Sequence, residues 1–149
     1  MPPATRIRPA EAPDLPILLA LYRHLNTEEP PEPAVAARSW QAMLGNPAIT
    51  VFLAEADGVA VATCMLIVTP CLTRSARPFG LIENVVTHAA HRRRGHGRAV
   101  LRGALEAAWA QGCSKVMLLT GSTLDATMRF YEGAGFRRGE KTGFVARPG

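Results

Sequence analysis

Between Gly80 and Trp109 the chain reads GLIENVVTHAAHRRRGHGRAVLRGALEAAW, and no other stretch limits its fold so tightly. The run Leu81 to Val86 is apolar apart from Glu83 and Asn84, and its length and composition predict a strand. A basic glycine turn follows, Arg92-Arg93-Arg94-Gly95-His96-Gly97. Beyond it Leu101, Ala104, Leu105, Ala108 and Trp109 fall at i, i+3, i+4, i+7 and i+8, which predicts one apolar helix face with Gly112 at its C-terminal cap. Lys115 to Leu119 is then a continuous apolar run, as expected of a buried strand parallel to the first. A strand, a crossover helix and a second parallel strand commit the chain to an α/β sheet.

The turn has its own chemistry. The first N–H groups of a helix lack intrahelical partners and the helix dipole places partial positive charge beside them, so a phosphate there meets donors and dipole together. Gly95 and Gly97 remove Cβ atoms where a phosphate must approach the backbone. Arg92, Arg93, Arg94 and Arg98 suit a diphosphate, because guanidinium groups grip phosphate oxygens in a bidentate fork. Two familiar phosphate loops are excluded. No glycine, four residues and Gly-Lys-Ser/Thr occur in series, and the third glycine of the dinucleotide fingerprint is replaced by Val100.

What remains, Arg92-x-x-Gly95-x-Gly97 after a strand, resembles the acetyl-CoA-binding signature of the GNAT family of N-acetyltransferases, Gln/Arg-x-x-Gly-x-Gly/Ala. Ile82 to His88 resembles that family's central strand. Phe130-Tyr131-Glu132-Gly133-Ala134-Gly135-Phe136 resembles its FYxxxGF segment, and the order of elements agrees from Arg8 to Phe144. The resemblance implies one GNAT-like domain over residues 1–149, with a mixed, mostly antiparallel sheet whose central parallel strands splay apart between flanking helices. It further implies that acetyl-CoA is the cosubstrate, with its pantetheine arm along the backbone of Val85, Val86 and Thr87. The diphosphate would then sit at Arg92, Arg93, Arg94, Gly95, Gly97 and Arg98, with the His96 N–H contributing. By the same resemblance Glu83 takes the proton of the incoming ammonium and Tyr131 gives one to the departing thiolate. Transfer is direct, in a ternary complex, and needs no metal. Two family features are replaced: the Asn common seven residues before the tyrosine is Leu124, and the proline common after the loop histidine is Ala89.

The residues carry plainer readings too. Glu83 is a lone acid in an apolar strand, and burying it there is costly without a purpose. Tyr131 lies on the inner face of a helix with Thr127, Phe130 and Ala134, where packing alone would place it. His88, His91 and His96 lack metal-site spacing and read as loop residues. Cys64, Cys71 and Cys113 form no CxxC pair, so neither a disulfide framework nor a zinc site is suggested.

Charge is unevenly spread. Residues 1–71 hold 4 Arg against 7 Asp and Glu, a net −3, whereas residues 72–149 hold 13 Lys and Arg against 5 Asp and Glu, a net +8. The basic half suits a polyanionic cosubstrate. Nucleic acid is the competing partner for such a charge, but aromatic content is 6% and no zinc finger, RNP string or basic zipper is present. No apolar run approaches the roughly 20 residues that span a bilayer, and the stretch MPPATRIRPAEAPD lacks an apolar leader. A cytoplasmic enzyme acting away from membranes, with a homodimer left open, is the expectation.

The remaining elements follow in order. Thr5 to Arg8 is a short edge strand. Asp14 caps a helix through Leu18, Leu19, Tyr22 and Leu25, and Pro30, Pro31 and Pro33 then forbid its continuation. A second helix spans about Ala34 to Leu44. Ile49 to Ala56 and Val59 to Val68 form a hairpin about Asp57-Gly58. Thr69 to Pro78 is a loop. Ser122 or Thr123 caps a last helix, and Phe136 to Val145 gives a final strand. In the family this order resembles, the loop after the first helix walls the acceptor pocket. Here it carries Glu28, Glu29 and Glu32, so the expected acceptor is a small-molecule primary amine of positive charge. A protein N-terminus, a lysine or an aminoglycoside is the alternative acceptor. A CoA-binding sensor without turnover is the alternative from another class.

Overall fold

The computed structural model describes residues 4–149, which form two compact units, residues 4–118 and 119–149. The first unit holds a five-stranded sheet in the order β1 to β5. Its strands are β1 (Arg6–Pro9), β2 (Ile49–Ala56), β3 (Val59–Thr69), β4 (Phe79–Thr87) and β5 (Val116–Leu118). β1 to β4 are antiparallel to their neighbours, and β4 and β5 are parallel. The helices of this unit are α1 (Leu15–Tyr22), α2 (Pro33–Leu44) and α3 (His96–Ala110). The fold is the expected mostly antiparallel α/β sheet with one parallel crossover, β4-α3-β5.

Sequence chemistry accounts for most element boundaries. At the β2–β3 hairpin, Asp57 and Gly58 both adopt left-handed φ, 52° and 78°, the geometry of a two-residue turn whose twist matches the strands. Val51, Phe52, Leu53 and Ala54 are all buried, so the centre of β2 is covered on both faces. Leu18, Leu21, Trp40, Val51, Leu53 and Val86 make one core cluster beneath α1 and α2. The N-terminal end of α1 is held by charge: the Arg8 guanidinium donates to both carboxylate oxygens of Asp14, at 2.7 and 2.9 Å, and to Glu55 on β2. Asp14 also accepts the Glu11 N–H at 2.7 Å. Arg8 accordingly pulls the Asp14 pKa down, and the Arg8 pKa rises in turn. Asp14 thus serves the turn before α1 rather than capping the helix with its side chain.

Several expectations are corrected. The first helix ends at Tyr22, not Leu25, and passes into a turn. On α3 the buried positions are His96, Gly97, Val100, Leu101, Ala104 and Ala108, while Trp109 is 50% exposed. The apolar stripe follows i, i+4 and i+8, and Trp109 falls beyond its edge. Within the loop 69–78, Arg74, Ser75 and Ala76 form one left-handed turn, φ 54° to 60°. The parallel strand is shorter than the apolar run that predicts it, lacking Lys115 and Leu119.

The second unit contains α4 (Asp125–Gly133). Its N-cap position is Leu124, and Ser122 serves from two residues further out, its Oγ accepting the Leu124 N–H at 3.2 Å and meeting Thr127 Oγ1 at 2.9 Å. Gly135 ends the helix with φ 106°. Phe136 to Val145 forms no strand: the segment is irregular, with Phe144 89% exposed. β-propensity is realised only against packing neighbours, and the stretch from Arg137 to Gly143 has no apolar side chain to pack. Among the described residues no helix is long and apolar enough to cross a membrane.

Candidate active site

The glycine turn opens α3. Gly95 precedes the helix with φ 85° and ψ 5°, and Arg93 is also left-handed at φ 64°. The first bond of the helix runs from the Ala99 N–H to the Gly95 carbonyl at 3.0 Å. The N–H groups of His96, Gly97 and Arg98 therefore come before any acceptor that the helix itself can offer. Gly97 is buried in the first turn, and Arg93, Arg94 and Arg98 are exposed around it. A helix start with three N–H groups, a dipole and mobile guanidinium groups is chemically an anion site.

His96 is the first residue of α3 rather than a loop residue. Its ring is buried, with Nδ1 3.0 Å from Thr5 Oγ1. Burial, then the nearby His91 and Arg94, hold its pKa below the ordinary 6.5. His88 caps and His91 ends a single turn of 3-10 helix, Ala89–His91, and His88 Nδ1 accepts the Ala90 N–H at 3.0 Å. The chain's four histidines form a row: ring centroids are 4.0 Å apart for His24 and His88, 5.3 Å for His88 and His91, and 6.3 Å for His91 and His96.

Arg92 departs from the expected arrangement. Its Nε donates to the Thr87 carbonyl and its Nη2 to the His24 carbonyl, both at 3.2 Å. The guanidinium is thus bonded to the end of β4 and to the turn after α1.

Ahead of the turn, β4 pairs with β5 only at Gly80, Leu81 and Ile82, and runs on through Thr87 with β3 as its strand partner. The register with β3 shifts between Thr63 and Met65, where Asn84 adopts φ 54°. Two residues of β4, Asn84 and Val85, oppose the single Cys64. This is a β-bulge, which bends a strand and re-aims its side chains. Glu83 and Asn84 are consecutively exposed, and Val86 then returns to the core. Exposure of Glu83 removes the argument from burial, since a carboxylate in contact with water has no desolvation cost to explain. Opposite the bulge Cys64 is fully buried, its thiol pKa pushed up to about 12 by burial.

Beside the bulge lies a cleft of ≈ 190 Å³. It is lined by Tyr22, Arg23 and Asn26 at the end of α1, by Glu28, Glu29, Pro30 and Pro31 of the acidic loop, and by Asn84. Its size suits a small molecule, since sites for drug-sized ligands run to roughly 300–1,000 Å³. Burial raises the Tyr22 hydroxyl pKa. Tyr22 and Asn84 escape sequence reasoning: Tyr22 reads as helix core, and Asn84 as one more strand residue. Asn is, however, depleted in strands and tolerant of left-handed φ, which is the signal for a bulge.

Tyr131 lies in the second unit, on α4. It is half-buried, with ring centroids 4.9 Å from Phe130 and 6.3 Å from Phe136. Glu83, Val85, Val86, Thr87 and the turn 92–98 all belong to the first unit.

Residues 16–136 match the acetyltransferase (GNAT) family. The chain is 34% identical over 137 residues to the glucosamine 6-phosphate N-acetyltransferase of Trypanosoma brucei brucei, covering 91% of this chain and 90% of that one. Among solved structures, a protein of Agrobacterium tumefaciens str. C58 superposes with a TM-score of 0.91 at 47% identity, covering 96% of this chain and 99% of that chain. An acetyltransferase of Trypanosoma brucei superposes with a TM-score of 0.80 at 29% identity, covering 97% of this chain and 100% of that chain.

Proposed function

The chain belongs to the acetyltransferase (GNAT) family, and from that premise we propose that it moves the acetyl group of acetyl-CoA to the primary amine of a small cationic molecule. The protein is an acetyl-CoA-dependent N-acetyltransferase. The finer reading rests on one observation: the cleft beside the β4 bulge gathers Glu28 and Glu29 next to Asn84, one residue from Glu83. Carboxylates raise the local concentration of a cation and disfavour an anion. The family span from residue 16 to residue 136 takes in parts of both units, which supports reading residues 1–149 as one acetyltransferase domain. A cytoplasmic location belongs to the same reading.

In this mechanism the diphosphate of acetyl-CoA is bound by the N–H groups of His96, Gly97 and Arg98 and by the side chains of Arg93, Arg94 and Arg98. The pantetheine amides lie along β4 at Val85, Val86 and Thr87, where the strand has outrun β5 and backbone groups are left for a ligand to pair. Free amines have pKa values near 10, so the acceptor arrives as ammonium. Glu83, exposed and hydrated, takes its proton through a water. The amine lone pair then attacks the thioester carbonyl carbon, and backbone N–H groups of β4 hold the oxyanion that forms. As the carbon–sulfur bond breaks, Tyr131, in the role the family resemblance gives it, donates its phenolic proton to the thiolate, and the second proton still on the attacking nitrogen passes through water to the tyrosinate, leaving CoA as the thiol, the acceptor as an amide and Tyr131 restored.

A second acceptor, an amino sugar phosphate, is favoured by Arg23, which lines the same cleft and offers a cation to a phosphate. The Trypanosoma brucei brucei relative is named for such a substrate. Steady-state kinetics with glucosamine, glucosamine 6-phosphate and small diamines as acceptors decide between the two. Glu28→Gln/Glu29→Gln raises KM for a cationic acceptor and leaves KM for acetyl-CoA alone, and the effect shrinks with salt. If the best acceptor is anionic and the double variant moves neither constant, the cationic reading fails.

A further inference from the structure

We infer that Arg92 is a positioning residue, a clasp that fixes the acceptor-side loop to the cosubstrate-side turn, and not a ligand of the diphosphate. The inference rests on the cleft being the acceptor site, and its test separates the two.

One guanidinium bonds two carbonyls that lie 63 residues apart in sequence, Thr87 at the end of β4 and His24 in the turn after α1, each at 3.2 Å. A second bond joins the two segments: the Ala89 N–H donates to His24 Nδ1 at 3.3 Å. The His24 and His88 rings stack over this junction with centroids 4.0 Å apart. Three interactions therefore converge on His24, from Arg92, Ala89 and His88. His24 sits between residues that line the cleft, Tyr22 and Arg23 before it and Leu25, Asn26, Glu28 and Glu29 after it. Beyond Tyr22 this segment has left its helix, and Pro30 and Pro31 supply no backbone N–H of their own. Residues 24–26 still bond back to the last turn of α1, and the contacts at His24 are what join the segment to residues 87–92. On the other side, Arg92 leads directly into the turn that opens α3.

Only arginine can make this clasp as it stands. The planar guanidinium presents Nε–H and Nη–H donors in fixed directions, which lets it span two carbonyls at once. A lysine ammonium keeps the charge but is a single point on a flexible stem. The two roles for Arg92 therefore predict opposite behaviour of the lysine variant. A phosphate ligand keeps its charge attraction as lysine, so Arg92→Lys retains part of the acetyl-CoA affinity that Arg92→Gln loses, whereas a two-carbonyl clasp is lost in both.

The test compares Arg92→Lys and Arg92→Gln with the full-length wild type by hydrogen exchange and by kinetics. Both variants are expected to speed amide exchange across residues 23–29, in the absence of any ligand. Both raise acceptor KM, roughly tenfold, the order expected when one or two hydrogen bonds from a charged donor are lost, with KM for acetyl-CoA within about twofold. The acetyl-CoA-induced rise in Tm survives in both, which also shows that each variant folds. Unchanged exchange over 23–29 overturns the clasp. So does a loss of acetyl-CoA affinity in Arg92→Gln that Arg92→Lys restores, which returns Arg92 to the diphosphate. Faster exchange with an unmoved acceptor KM upholds the clasp and places the acceptor somewhere other than the cleft.

Discussion

Replacing Gly95 by alanine tests the geometry of the cosubstrate turn with few complications. An ideal Cβ built on Gly95 meets no atom within 4 Å, so there is no clash to relieve and no neighbour to displace. The whole effect must come from the backbone, which holds φ at 85°. An L-residue pays about 1–2 kcal/mol in the left-handed region. Removing a glycine also restricts the unfolded chain, which returns about 0.4–1 kcal/mol. The difference leaves Gly95→Ala destabilised by about 1 kcal/mol, or about 2–4 °C in Tm for a chain of this size. Gly95→Asn should lose less, because asparagine visits left-handed φ more readily than alanine. Urea denaturation of the three proteins at equal concentration gives the ranking Gly, Asn, Ala. Thermal shift with acetyl-CoA then reports whether the alanine variant still presents its N–H groups, since a ligand bound to the native state alone raises Tm by mass action. If Gly95→Ala is as stable as the wild type, the turn is not left-handed at that residue and the cradle described above is wrong.

Three further outcomes are expected. Gly97→Asp, which adds bulk and a negative charge in the first turn of α3, abolishes the acetyl-CoA-induced rise in Tm, and an unchanged rise removes the diphosphate from that turn. Tyr131→Phe binds acetyl-CoA normally but lowers kcat, because only protonation of the departing thiolate is lost; full activity would return the ring to packing against Phe130 and Phe136. His96 contributes to the pH dependence of stability, as does His24, whose pKa is also lowered. The native pKa of His96 lies below 6.5, so the native state binds fewer protons than the unfolded chain. The stability it contributes is full above about pH 6.5 and is lost as pH falls through the lowered native value. Tm measured from about pH 8 down to about pH 5 should fall less steeply for His96→Gln than for the wild type, and equal slopes would refute the assignment.

The sequence by itself determined those features whose cause is local. Asp57-Gly58 demands a hairpin because both residues accept left-handed φ, and the hairpin forms where those residues stand. The basic glycine turn requires a strand before it and a helix after it, and β4 and α3 occupy those places. Prolines 30, 31 and 33 bar helix between Tyr22 and α2, whatever surrounds them. The GNAT resemblance was legible for the same reason, since its motifs are short strings whose chemistry is contained in the string.

Only the tertiary structure decided what depends on a neighbour distant in sequence. Glu83 and Asn84 stand exposed side by side because a bulge opposite Cys64 breaks the alternation of β4, and no pattern within residues 81–87 states which register β3 will adopt. Trp109 falls off the buried stripe because the sheet covers a narrower face of α3 than its apolar residues could fill. Phe136 to Val145 is expected to be a strand by its place in the order of elements, yet a strand exists only where another offers hydrogen bonds. Asp14 stands at the N-cap of α1 as expected, but its carboxylate bonds Arg8, which also bonds Glu55 on β2, because a charged donor is a stronger partner than a backbone N–H. Arg92 is one of a row of three arginines in sequence. It alone of the three is bonded to the His24 carbonyl, and that carbonyl is brought within reach only by α1 packing over the sheet.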